Sequence, residues 1–451
     1  MHSYSFLIRK EEFFMKREVN LKNVKGSYDY SPSEQSIRNY IQDTLRTVFE
    51  EYGYKPLETP ILCYYDLLAG KYDETNDLLN EIYKLSDQGE RKLGLRYDLT
   101  VPFAKYIALT KDLRLPFKRY EMGKVFRDGP VKTGRDREFM QCDVDVVGLD
   151  GNVIEAELIS LWLKGYRAMG IDVCIKYNSR NLMRGIIKEV TSTMEDDDID
   201  RVVTVIDKMD KMSHEDLIEE LVSVGVEESK GTKLLNYFGM SLEELETAFV
   251  SVEDEMLKKG LEELGNLKRI LSGIGLGDDA VFSPSLARGQ DYYTGNVFEV
   301  YAKNGELSCS LGGGGRYDKM ITDFIDDGNV YPAVGVSFGL STIYEILRMR
   351  EDAKAKSLID VYVIPMGTEI ESLSLANDLR ALGLRVELDM TGKKIKKSFE
   401  FANRENIPYV IVLGEDEVNK ESFKIKNMES GEETSIDRND LEAVLGIVEQ
   451  S

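Results

Sequence analysis

Residues 117–148, FKRYEMGKVFRDGPVKTGRDREFMQCDVDVVG, are the most informative stretch of the chain. Two extended runs flank a loop holding Gly129, Pro130 and Gly134, which predicts an antiparallel hairpin. Strand alternation puts Met140, Cys142, Val144 and Val146 on one face of the second run and Gln141, Asp143 and Asp145 on the other. In the first run Tyr120, Met122 and Phe126 share a face and leave Glu121 and Arg127 opposite. A sheet with one packed face and one row of arginine, glutamine and aspartate can hold a polar ligand. An ordinary antiparallel sheet also turns such a row toward solvent, and alternation alone leaves both readings open.

Other kinds of chemistry are poorly served. The 451 residues contain two histidines, His2 and His214, both in polar surroundings, so a Ser-His-Asp or Cys-His mechanism or a histidine-rich metal site is not expected. Cys63, Cys142, Cys174 and Cys309 are far apart and form no CxxC pair, which points to neither a zinc site nor a disulfide framework and fits a reducing compartment. The run GGGGRYD at 312–318 lacks the Lys-Ser/Thr of a P-loop, and a tight turn at a strand end is its plain reading. Chemistry must therefore rest on arginine, lysine, carboxylates and a bound ion.

The elements around the hairpin can be placed by periodicity. Ser31-Pro32-Ser33-Glu34 opens a helix carrying Ile37, Ile41, Leu45, Val48 and Phe49 at helical spacing until Gly53. A short extended piece, KPLETPIL, follows. Residues 20–180 and 281–350 read as one mixed α/β core, interrupted by an acidic, helical insertion at 181–280. A linker at 351–358 leads to a β-α-β-α-β pattern over 359–451, hence a small α/β domain with a parallel or mixed sheet. Residues 1–19 form an extension with charge mixed into its apolar stretch and no cleavage-like site. With no run of eighteen apolar residues, a cytoplasmic protein with no membrane partner is expected. The net charge of −23 argues against generic nucleic-acid binding. Lys393, Lys394, Lys396 and Lys397 form a local basic patch, read either as a phosphate contact or as a solvated helix face.

The order of Arg127, a loop with Lys132 and Arg135, then a returning strand resembles motif 2 of class II aminoacyl-tRNA synthetases. Within that class, RYEMGKVFRDGP…GRDREFMQCDVDVVG is similar to the histidyl enzymes. LARGQDYYTGNVFE at 286–299, LRYDLTVPFAKY at 95–106, GGGGRYDKMI at 312–321 and GKKIKKSFEFANRENIPYVIVLGEDE at 392–417 agree with it, in the family's order, from about residue 20 onward.

That resemblance implies a catalytic domain on a mostly antiparallel sheet (the class II synthetase fold), with a helical insertion and a small α/β anticodon-binding domain. It implies a histidine–tRNA ligase using L-histidine, ATP and Mg²⁺, with the histidine tRNA as partner. Motif 1, the helix at about 32–52 and the strand holding Pro60, implies a homodimer. Arg127 and Arg288 match the catalytic cations, and with Arg135 they are expected to bind ATP. Asp98, Leu99, Thr100, Gln141, Asp145, Tyr292, Tyr293 and Tyr317 are expected, with those two arginines, to hold histidine. Lys132, Arg135 and the Lys393–Lys397 patch are expected to meet tRNA. No side chain is assigned as a metal ligand.

One segment departs from the family pattern. Motif 3 normally closes with an acid and an arginine after Gly-Leu, whereas VGVSFGLSTIYEIL has Ser341 and Thr342 there. A neutral threonine cannot replace a bidentate guanidinium. A non-catalytic relative, such as the regulatory subunit of ATP phosphoribosyltransferase or a tRNA or histidine sensor, is therefore the alternative. The regulatory paralogue typically lacks a C-terminal anticodon domain, and Arg127, Arg288, Asp98 and Asp145 are all retained here. A nucleotide-binding α/β protein unrelated to tRNA would account for the C-terminal domain and leave the hairpin unexplained.

Overall fold

The structure is a computed structural model, and it describes residues 20–70, 78–131, 134–192, 194–288, 292–350 and 357–449. The extension at 1–19, Lys132 and most of the linker lie outside the described residues. The described residues form two compact units, 20–31 with 38–347, and 32–37 with the residues from 348 onward.

The first unit carries strands β1 (Lys55–Pro56), β2 (Leu62–Tyr64), β3 (Lys84–Ser86), β4 (Lys92–Leu95), β5 (Phe117–Phe126) and β6 (Glu138–Val147). Then come β7 (Val173–Ser179), β8 (Ala280–Phe282), β9 (Asn296–Ala302), β10 (Gly312–Arg316) and β11 (Ala333–Gly339). Strands β2, β4 and β3 make a small sheet, and the others join in the order β1-β5-β6-β11-β10-β9-β7-β8. Only the outer pairs β1/β5 and β7/β8 are parallel.

The expected hairpin is β5–β6, and its register decides the site. Arg119 lies opposite Asp145, Glu121 opposite Asp143 and Tyr120 opposite Val144. On the other side β6 pairs with β11, with Ser337 opposite Asp143 and Gly335 opposite Asp145. The apolar face is covered by the helix Pro32–Glu51, whose Ile41, Leu45, Val48 and Phe49 are buried, and by the helix Asn152–Ala168. Phe49 packs against Tyr120 and Phe338, with ring centroids 5.4 and 5.6 Å apart, and Trp162 and Tyr166 close on Phe338 from the second helix. Burial of these rings pins the sheet's facing, because a one-residue slip would send every side chain to the opposite side. The polar row is thereby committed to the other face.

Between β7 and β8 the chain is helical: Arg180–Thr191, Asp196–Ile206, His214–Ser223, Glu228–Tyr237, Leu242–Ala248 and Glu255–Gly273. The second unit contains β12 (Val361–Met366), β13 (Val386–Leu388), β14 (Tyr409–Gly414), β15 (Ser422–Asn427) and β16 (Glu433–Asp437). Their order is β13-β12-β14-β15-β16, parallel among the first three and antiparallel beyond. The mixed sheet agrees with the β-α-β-α-β pattern, while the β15–β16 hairpin has no counterpart in it. The helix expected from about Lys393 runs Ile395–Arg404.

Candidate active site

The polar row does not face solvent. Glu121, Asp143 and Asp145 are buried, and Arg119 opposite them is wholly so. A cavity of about 930 Å³ opens over this face, lined by Thr100, Arg127, Arg135, Gln141, Asp143, Asp145, Arg288, Tyr292, Tyr293 and Tyr317 among others. That volume sits at the upper end of the roughly 300–1,000 Å³ typical of ligand sites. These residues come from four stretches far apart in sequence.

The floor is an ion network. Arg96 Nη1 meets Glu121 Oε1 at 2.8 Å, Arg119 Nη1 meets Glu121 Oε2 at 3.3 Å, and Arg119 Nη2 meets Asp145 Oδ2 at 2.8 Å. Thr59 donates its backbone N–H to Glu121 at 2.9 Å, and the Tyr317 hydroxyl donates to Asp145. Buried charges persist only when paired and hydrogen-bonded in this way. Burial raises Asp145 above the ordinary carboxylate range, while Arg119 and the Tyr317 hydroxyl pull it back. Burial and the neighbouring Asp145 also raise Asp143, whose Oδ1 has no partner among the described residues.

Asp98 is buried at the start of the helix Thr100–Leu109, where its Oδ1 accepts the Val101 N–H at 3.1 Å. Burial pushes it up to about 6, against the opposing pull of Arg127 and Arg119. Its second oxygen has no partner among the described residues. Thr100 lines the cavity, whereas Leu99 is core and contributes its carbonyl, which accepts from Arg119 at 3.2 Å. Gln141 reaches Ser337 with its amide nitrogen at 3.3 Å and leaves its oxygen unpartnered among the described residues.

Two cations face this floor. Arg127 follows the end of β5; its Nε donates to the Tyr97 carbonyl at 3.2 Å, and its guanidinium lies 5.1 Å from the Phe139 ring. Arg288 pairs with Glu299 on β9 at 2.7 Å. Tyr292 stacks edge-on to Tyr293 and Tyr317, with centroids 4.8 and 6.2 Å away.

The glycine run of β10 has a specific cause. A Cβ at Gly313 would fall onto the Arg288 guanidinium, and one at Gly335 on β11 would fall onto the Asp145 carboxylate. Glycine is required where these side chains lie flat over neighbouring strands. A strand therefore replaces the tight turn expected for GGGGRYD.

Thr342 stands on the cavity wall, its hydroxyl donating to the Gly339 carbonyl at 2.8 Å and approaching that of Leu311 at 3.2 Å. It caps backbone and supplies no charge. Gly134 borders it, since a Cβ there would lie 3.6 Å from Thr342 Cγ2, and the exposed Arg135 comes next.

Sequence reasoning assigned no role to Arg119, Arg96, Ser337 or Glu299. Arg119 was open to the same alternation that grouped Glu121 with Arg127, being two residues before Glu121. Arg96, just after β4, and Glu299, on β9, come from other elements, and no local pattern marks them.

The histidyl-tRNA synthetase family model matches residues 26–343, and an anticodon-binding-domain model matches 360–446. The chain belongs to the histidyl-tRNA synthetase family. Histidine–tRNA ligase 1 of Bacillus cereus is 43% identical over 423 residues, covering 93% of this chain and 95% of that protein. Histidine–tRNA ligase of Bacteroides fragilis is 36% identical, covering 92% and 97%. The solved histidyl-tRNA synthetase of Nostoc sp. superposes with a TM-score of 0.81 at 27% identity, covering 95% of this chain and 99% of that one. A structure described as an ATP phosphoribosyltransferase regulatory subunit/histidyl-tRNA synthetase from Bacillus halodurans superposes at 0.73 with 23% identity, covering 90% and 100%, a likeness of fold alone. For this synthetase-family chain the class II architecture follows: a catalytic domain on the large mixed sheet and a separate anticodon-binding domain on the small one.

Proposed function

We propose that the chain is a histidine–tRNA ligase that first makes histidyl-adenylate from L-histidine and ATP, then passes histidine to the 3′ end of its tRNA. In the first step the histidine carboxylate attacks the α-phosphorus, an O–P bond forms and pyrophosphate leaves. In the second a terminal ribose hydroxyl attacks the acyl carbon and AMP leaves. The observation that carries the reading is Asp145, paired with Arg119 and accepting the Tyr317 hydroxyl at the floor of a cavity walled by Arg127 and Arg288.

Each half of the amino acid finds a suitable group. The imidazole N–H donates to Asp145 among Tyr292, Tyr293 and Tyr317, and the ammonium is drawn to Asp98, Thr100 and Gln141. Leaving such buried polar groups unpaired rejects analogues strongly, which supports selectivity for histidine. Arg127 and Arg288 offset the charge that builds on the phosphoryl oxygens. Arg135, bordering the wall where Thr342 supplies no charge, takes the outer phosphates together with them.

Among the described residues no group of three or more His, Cys, Asp or Glu converges as a ligand set. Mg²⁺ fits as an ion carried on the nucleotide phosphates with its waters, as is usual for this cation, and when bound it neutralises phosphate charge.

We assign 20–180 with 281–350 as the catalytic core and 181–280 as its insertion. The family's anticodon domain lies at 359–451, with Lys393, Lys394, Lys396 and Lys397 exposed at the start of the helix Ile395–Arg404. Cations at a helix N-terminus oppose the helix dipole, so a phosphate partner explains them better than stability does. Lys132 and Arg135 of the motif 2 loop are assigned to the acceptor end. The assembly is a cytoplasmic homodimer in this reading. No described helix is long and apolar enough to cross a membrane. The anticodon domain favours the ligase over the regulatory paralogue.

ATP–pyrophosphate exchange across all twenty amino acids, with Mg²⁺, is the test. Exchange with histidine alone supports the ligase and shows Thr342 is compensated. No exchange from folded protein that binds histidine would give the reading up in favour of a sensor. Arg288→Ala should lower exchange by several orders of magnitude, on the order of the 10²–10³-fold or more seen when an electrostatic stabiliser is removed.

A further inference from the structure

Arg288 is not free to swing across the cavity. Its Nη1 meets Glu299 Oε1 at 2.7 Å, and the other Glu299 oxygen accepts the Tyr301 hydroxyl at 2.5 Å. Glu299 and Tyr301 are two apart on β9 and therefore share a face. Gly313 of β10 lies directly opposite Glu299, and its missing side chain leaves the slot in which the guanidinium rests. Tyr301 is held in turn: Lys176 lies 5.1 Å from its ring and pairs with Asp210 at 3.1 Å. With one corner tied down, the guanidinium keeps a buried Nε that has no partner among the described residues.

We infer that Glu299 is a positioning residue for the proposed reaction: braced by Tyr301, it fixes the rotation of the Arg288 guanidinium so that its unpartnered Nε meets the reacting phosphate. The inference rests on the reading of Arg288 as a catalytic cation. Two effects oppose each other here. The Glu299 charge weakens the cation seen by phosphate, and its hold sets the cation's direction. Direction dominates, because a displacement of about 1 Å at a reacting centre costs on the order of 100-fold in rate.

The test is histidine-dependent ATP–pyrophosphate exchange by the full chain carrying Glu299→Gln, Tyr301→Phe, Arg288→Ala or Arg288→Ala with Glu299→Gln. Glu299→Gln should lower kcat by about 10- to 100-fold while the histidine KM stays within about threefold. Tyr301→Phe, which keeps the packing, should lower kcat about threefold to tenfold. In the Arg288→Ala background Glu299→Gln should add nothing, since it acts only through that arginine. An equal further loss in that background, or a Glu299→Gln enzyme as fast as the parent or faster, overturns the positioning role while Arg288 keeps its own. Full activity of Arg288→Ala alone overturns the catalytic reading of Arg288 and the positioning role with it.

Discussion

Replacing Asp145 by asparagine separates recognition from stability in one substitution. The carboxamide keeps an oxygen for the Tyr317 hydroxyl and roughly the same volume, but removes the anion 2.8 Å from Arg119. Arg119 is fully buried and retains Glu121 at 3.3 Å and the Leu99 carbonyl at 3.2 Å. Breaking a buried pair costs about 3–5 kcal/mol when the remaining charge is left alone. Here the remaining partners soften the loss, so about 2–3 kcal/mol is expected. In the proposed complex the imidazole loses a charged acceptor, a bond of about 1.5–3 kcal/mol, or roughly 10- to 150-fold in histidine KM. Urea unfolding reads the first number and histidine-dependent exchange the second. A lowered midpoint with a histidine KM within twofold of the parent would show that Asp145 is only a structural ion, and the pocket assignment would fall.

Three further outcomes follow from the same geometry. Gly335→Ala places a methyl on the Asp145 carboxylate and 3.0 Å from the Val144 carbonyl; an overpacking cost of about 1–3 kcal/mol with a raised histidine KM should appear in the same two assays. Asp98 has a folded value near 6, above its unfolded one, so its protonated form is favoured by folding and its contribution is lost as pH rises from about 4 to 6. Asp98→Asn should therefore gain stability against the parent across that window, by about 3 kcal/mol, in urea midpoints taken at pH 4 and 7; a pH-independent difference would refute it. Changing Lys393, Lys394, Lys396 and Lys397 to glutamine should weaken tRNA binding and flatten its log–log salt dependence by about 0.7–0.9 per lost phosphate contact. Exchange without tRNA should be untouched, and an unchanged salt slope would remove the patch from the tRNA interface.

Much of this was legible in the chain itself. Alternation in β6 sorted Cys142 and Val144 from Gln141, Asp143 and Asp145, because a strand's period is two whatever surrounds it. Spacing likewise marked the helix that buries Ile41, Leu45, Val48 and Phe49, and the alternating elements of the second unit. The resemblance singled out Arg127 and Arg288, and both line the one cavity described. Which face of the hairpin met water could not be read, since both answers share one pattern. Only the packing of Phe49, Trp162 and Tyr166 on the opposite side turned the polar row into a cavity floor. Arg119 pairing with Asp145, and Glu299 with Arg288, depended on strand register and on glycines of adjacent strands. Such pairings join residues up to tens of positions apart, and the energy that selects them exists only once the sheet has closed over charges that cannot be left unpaired.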